Sequence, residues 1–131
     1  MVRTTIDQLL LESRAQLTRL DPPDALQAMQ SGATLVDIRS ESQIARDGEV
    51  EGALTISRNV LEWRLDPASD HRHPDAPGLG AQVIVMCNEG YQSSLVAATL
   101  QRLGFSAATD LDGGFQAWRA CGLPVRPPRP S

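Results

Sequence analysis

The segment Val83-Ile84-Val85-Met86-Cys87-Asn88-Glu89-Gly90-Tyr91-Gln92-Ser93-Ser94 decides how this chain is read. Its opening run is apolar and rich in β-branched residues, which suits a strand buried on both faces. The run stops at a thiol and passes through a short polar loop that holds a glycine. It then enters a helical pattern of Leu95, Val96, Ala98, Thr99, Leu100 and Leu103, which Gly104 ends. Strand, loop and helix in that order make half of a parallel β–α–β unit.

Working outward, the same alternation repeats. Residues 34–38, 53–56, 82–86 and 107–111 predict strands, with 18–20 a short first one. Ile6, Leu9, Leu10, Ser13 and Leu17 share one helical face, so residues 4–17 predict an amphipathic helix. Asp21 is followed by Pro22, Pro23 and Asp24: an N-cap, a proline in the first turn, and an acid beside the positive helix end. A helix is expected from there to Gln30. Gly113-Gly114 opens a last short helix through Phe115, Trp118 and Arg119 toward Gly122. Strands and helices alternating at these lengths imply an α/β domain whose parallel sheet is covered on both faces. In such sheets the ligand crevice lies beyond the carboxyl ends of the strands, and Cys87 stands at one of them.

Composition narrows the function. The 131 residues suit one domain with one core, and 41% apolar with 21% charged residues is a globular balance. A net charge of −4 leaves no basic stripe to neutralise phosphates, so nucleic acid is excluded as a bulk partner. The apolar runs are too short to span a bilayer. The start, MVRTTIDQLL, lacks the apolar core and cleavage site of a signal peptide. A cytoplasmic chain with no membrane partner is expected, and Cys87 and Cys121 are expected as reduced thiols rather than a disulfide. Residues 124–130 hold four prolines and read as an extended, frayed tail, with a proline-rich ligand for a partner as the alternative.

A loop that curls into a helix N-terminus points backbone N–H groups inward and forms an anion site. A free thiol titrates near pH ~8.5. A helix terminus contributes only about 0.3–1 kcal/mol toward the anion. Two amide hydrogen bonds to it contribute about 1.5–3 kcal/mol each, so loop amides must carry most of the stabilisation of a thiolate. The plainer alternative is a core cysteine closing a buried strand.

The pattern CNEGYQSS resembles the active-site loop of rhodanese-type sulfurtransferases, cysteine-x-x-glycine-x-x-serine. Leu35-Val36-Asp37-Ile38-Arg39 is similar to that family's strand with acid-x-arginine, and Gly48-Glu49-Val50-Glu51-Gly52-Ala53-Leu54 to its Gly-His-Ile-Pro-Gly-Ala segment. Leu111-Asp112-Gly113-Gly114-Phe115-Gln116-Ala117-Trp118 resembles its terminal signature. The resemblance implies a rhodanese-like domain over residues 18–124, with an N-terminal helical extension over 1–17 and a proline-rich tail over 125–131. It implies a five-stranded parallel sheet flanked by helices on both faces. Cys87 would be the nucleophile, taking sulfane sulfur from thiosulfate or a persulfide as Cys–S–SH. It would pass that sulfur to cyanide, a small thiol or a protein acceptor, with no metal or organic cofactor. Asn88, Glu89, Gly90, Tyr91, Gln92 and Ser93 would surround the sulfur.

Some positions depart from that pattern. Gln92 stands where many members carry a basic residue, and Glu89 adds a negative charge. A carboxylate about 6 Å from the sulfur costs about 3 kcal/mol at an effective dielectric of about 20. Glu89 is therefore expected to face solvent, and thiosulfate to be a poor donor beside an uncharged or persulfide one. Glu49 and Glu51 replace the histidine and proline of the Gly-Ala segment, as surface changes. Arg58 is the candidate positive group facing substrate, with a solvated helix face as the alternative. That alternative is preferred for Trp63 and Arg64. Asp37 and Arg39 are expected to form a structural ion pair near the site.

Other candidates have plainer readings. His71 and His73 read as exposed loop residues rather than metal ligands. Cys121 reads as a helix-end residue rather than a resolving thiol. A phosphatase or arsenate reductase needs an arginine six residues after the cysteine to clamp the anion, and Ser93 occupies that place. The remaining rival is a non-catalytic binding module on the same fold.

Overall fold

The computed structural model describes residues 2–128. Helix α1, Ile6–Ala15, begins on a capping box in which the Thr5 hydroxyl accepts from the Gln8 N–H and the Gln8 side chain accepts from the Thr5 N–H. Helix α2, Pro22–Gln30, starts at the Asp21 cap, whose carboxylate accepts the Asp24 N–H at 2.9 Å. Then follow β1 (Thr34–Asp37), α3 (Glu41–Asp47), β2 (Leu54–Thr55), a 3₁₀ turn (Arg58–Val60) and α4 (Leu61–Leu65). The chain ends with β3 (Val83–Met86), α5 (Gln92–Arg102), β4 (Thr109–Asp110) and α6 (Gly114–Ala120).

All strand pairs are parallel, in the order β2-β1-β3-β4. Five strands were expected, and the described residues form four. Residues 18–20 contribute a single bridge, Leu20 to Leu111. Its two hydrogen bonds, Leu20 N–H to Asp110 O and Asp112 N–H to Leu20 O, are intact. The ladder stops there because Pro22, which has no N–H, already begins α2.

The alternation of β3 builds two cores. Val83, Val85 and Cys87 pack with Val36, Ile38, Leu61, Leu65, Val96, Ala97, Leu100 and Phe105 on one face. Ile84 and Met86 pack with Ala25, Leu35, Val50, Leu111, Phe115 and Trp118 on the other. Helices α4 and α5 cover the first face, with α1 laid over α5; α2 and α6 cover the second.

The tail is tied down for part of its length. The Trp118 indole N–H donates to Pro124 O at 2.9 Å, and Glu49 and Arg126 exchange backbone hydrogen bonds of 3.0 and 2.7 Å. The expectation of a frayed end thus fails over residues 124–126, and residues 129–131 lie outside the described ones.

Because β1 connects outward to β2 and β3 to β4, the chain changes direction between the two central strands. Their carboxyl ends, Asp37 and Met86, pair in register. Cys87 follows at this switch point, where ligand crevices form in open parallel sheets.

Candidate active site

Cys87 is 2% exposed and points, by strand alternation, to the α5 face. Its sulfur accepts the Gly90 N–H at 3.1 Å. Sequence reasoning called for two or more amide donors; among the described residues one reaches the sulfur, and Cys87 belongs to the buried cluster of Val36, Ile38, Val85 and Val96. The thiol lies between the two readings, at the edge of a core but hydrogen-bonded to its loop.

The loop is fixed from below by α6. Phe115 N–H donates to Cys87 O at 2.9 Å and Gln116 N–H to Asn88 O at 3.1 Å. The Gln116 side chain reinforces this with a 2.9 Å bond to Asn88 Oδ1. The approach requires Gly114, where a β-carbon would stand 2.5 Å from Cys87 O.

The loop is fixed from behind by a buried carboxylate. Asp110 is fully buried, and its Oδ2 accepts the hydroxyls of Ser93 at 2.8 Å and Ser94 at 2.7 Å. Arg19 donates through Nε to Asp110 Oδ1 at 2.9 Å, and through Nη1 it pairs with Asp112 at 3.1 Å. The Gly90 carbonyl accepts from Arg19 Nη2 at 2.9 Å and from Arg14 Nη2 at 2.8 Å. Arg14 Nε also donates to Ser94 Oγ at 3.1 Å, and its guanidinium lies 5.7 Å from the Tyr91 ring centroid. Sequence reasoning assigned Arg14, Arg19 and Asp110 no role in the site.

The other assigned residues are placed as follows. Glu89, Tyr91 and Gln92 are exposed, and Asn88 is half-buried. Ser93 is buried with its hydroxyl committed to Asp110. Arg58 pairs with Glu62 one turn later at 3.0 Å, beyond the end of β2. Asp37 and Arg39 form a buried ion pair at 2.8 Å. The Arg39 guanidinium also donates to Gly48 O and lies 3.8 Å from the Phe115 ring centroid, so it braces β1 against α6. A cavity of about 590 Å³ opens beside this pair, lined by Ser40, Glu41, Ser42, Ile44, Thr55 and Ser57 as well as Arg39. Residues 87–93 take no part in it.

Cys121 is exposed at the far end of α6. It lies seven residues beyond Gly114, about 10 Å along the helix axis at ~1.5 Å per residue, which is out of disulfide reach of Cys87. His71 is exposed, and His73 Nδ1 accepts the Asp75 N–H. Among the described residues no group of three His, Cys, Asp or Glu side chains could hold a metal ion, and no helix is long and apolar enough to cross a membrane.

Residues 21–121 match the model of the rhodanese-like domain family. The thiosulfate sulfurtransferase GlpE of Ectopseudomonas mendocina (strain ymp) is 36% identical over 106 residues, which cover 81% of this chain and 88% of that protein. The polysulfide-sulfur transferase homodimer of Wolinella succinogenes superposes with a TM-score of 0.71 at 26% identity, covering 89% of this chain and 83% of that one. A protein of unknown function from Rhodopseudomonas palustris, described as a possible tyrosine phosphatase, superposes with a TM-score of 0.86 at 31% identity. That match covers 96% of this chain and 97% of its own.

Proposed function

Because the chain belongs to the rhodanese-like domain family, we propose that it is a sulfurtransferase that carries sulfane sulfur on Cys87. The observation that carries this reading is the placement of Cys87 at the switch point of the sheet with the Gly90 N–H on its sulfur at 3.1 Å. Relatives named thiosulfate sulfurtransferases at 36% identity support the same chemistry.

In the proposed cycle the Cys87 thiolate attacks the outer sulfur of thiosulfate. A sulfur–sulfur bond forms on Cys87, the donor's own sulfur–sulfur bond breaks, and sulfite leaves with the electron pair. A persulfide donor reacts alike and releases a thiolate. The acceptor, cyanide or a thiol on a small molecule or protein, then attacks the outer sulfur of the persulfide and regenerates the thiolate. Gly90 N–H holds the anion throughout, in surroundings that exclude water and strengthen the hydrogen bond. The expectation that thiosulfate is a poor donor rested on Gln92 in place of a base and on the charge of Glu89; Arg14 and Arg19, bonded to the Gly90 carbonyl, bring two cations to the loop from outside. Thiosulfate therefore stands beside persulfides as a donor.

The phosphatase reading, raised by the Rhodopseudomonas protein, is not adopted. Its anion clamp needs an arginine where Ser93 stands, and that hydroxyl is bonded to Asp110. The test is thiocyanate formation from thiosulfate and cyanide, with p-nitrophenyl phosphate as the counter-substrate. Thiocyanate formed by the wild type and not by Cys87→Ser supports the proposal; phosphate release without thiocyanate overturns it.

A further inference from the structure

The Gly90 carbonyl is the meeting point of two guanidiniums that belong neither to the cysteine loop nor to the span matched by the family. Arg14 closes α1 and Arg19 follows it, and both precede residue 21, where the match begins. Each donates to Gly90 O, at 2.8 and 2.9 Å. Each is also anchored on the loop's support, Arg14 through Ser94 at 3.1 Å and Arg19 through Asp110 at 2.9 Å. Gly90 is thereby held from both sides, with its N–H on the Cys87 sulfur and its carbonyl on two cations, at a φ of 88°. Peptide planarity then turns the Tyr91 N–H away from the arginines.

We propose that Arg14 and Arg19 are positioning residues that latch the cysteine loop shut through the Gly90 carbonyl and supply the positive field for an anionic sulfur on Cys87. The N-terminal helix is then part of the sulfur site rather than an appendage, and the latch stands in for the basic residue replaced by Gln92. This deepens the sulfurtransferase reading and rests on it. The charged groups around the loop are Arg14 from α1, Arg19, Asp110 of β4, Asp112, the exposed Glu89, and the Asp37–Arg39 pair beyond β1. Asp110 is already occupied by Arg19 and two serine hydroxyls, and among the described residues no carboxylate is bonded to Arg14. Burial opposes the charge on Arg19. The hydrogen bond and charge of Asp110 outweigh it, with Asp112 and the Cys87 sulfur adding, and hold the proton more tightly than usual.

The test uses the full chain carrying Cys121→Ser, so that one thiol reports. Iodoacetamide alkylation of Cys87 is followed against pH in that background and in Arg14→Gln, Arg19→Gln, Arg14→Lys and Arg19→Lys, with circular dichroism to select folded variants. The latch predicts that each glutamine variant raises the pH of half-maximal alkylation by about one unit and slows alkylation at pH 6 about tenfold. The lysine variants recover most of that loss, which a purely structural role would not produce. If Arg19→Gln does not fold, Arg14→Gln and Arg19→Lys decide. A folded Arg14→Gln with the parent profile overturns the latch. A parent protein that takes up no sulfur from any donor but shows these shifts overturns the sulfurtransferase reading and leaves the latch standing.

Discussion

A β-carbon on Gly90 would stand 2.6 Å from the amide nitrogen of Gly113, so the cysteine loop and the start of α6 meet backbone to backbone. Gly90 also sits at a φ of 88°, a conformation that costs other residues about 1–2 kcal/mol. Gly90→Ala should therefore lose more than that strain alone, since the Gly113 backbone must also move. Sulfur transfer should fall at least tenfold, because the amide on the Cys87 sulfur moves with it. Urea unfolding and thiocyanate kinetics check both parts.

Asp110 gathers Ser93, Ser94 and Arg19 in a fully buried site. Removing its charge leaves Arg19 with the exposed Asp112 as its remaining ion partner, so the cost falls below the value of about 3–5 kcal/mol for a fully unpaired buried charge. Asp110→Asn should show that loss in urea midpoints, while Ser94→Ala, which leaves the Ser93 bond in place, should lose about 1–2 kcal/mol.

Asp47 joins α3 to α6, touching Arg46, the Gln116 side chain and Arg119. The Arg46 hydrogen bond, helped by those neighbours against the cost of desolvation, holds its carboxyl below the ordinary 3.8. A depressed carboxyl contributes stability above its unfolded-state value and loses it as the pH falls through the folded one. Thermal melts from pH 5 down to about pH 2.5 should therefore drop less steeply in Asp47→Asn than in the wild type. Equal slopes would remove Asp47 from the acid response.

Cys121, at the far end of α6 and out of reach of Cys87, is expected to be a bystander. Cys121→Ser should match the wild type in sulfur uptake and turnover, as read by thiocyanate formation. A loss in this variant would assign the exposed thiol a part in the cycle.

The strands were legible because their apolar, β-branched runs match a sheet buried on both faces. Their spacing located β1 to β4 and put Cys87 at a carboxyl end. Helix α3 was missed: its two apolar residues, Ile44 and Ala45, are adjacent and make no periodic face, and the Ser40–Gln43 capping box marked its start. The anticipated ring of amides is reduced to Gly90. Neither Arg14 nor Arg19 could be found from spacing, since Arg14 bonds across 76 residues to Gly90 and Arg19 across 91 to Asp110. Such pairings depend on how α1 settles on α5, which no local pattern records.

The central claim is that Cys87 holds the transferred sulfur. Intact-protein mass spectrometry with peptide mapping, after incubation with thiosulfate or a small persulfide, measures it most directly. The account predicts a gain of one sulfur atom on the peptide containing Cys87, lost on adding cyanide and absent in Cys87→Ser. Sulfur found only on Cys121, or on neither thiol with either donor, would contradict it.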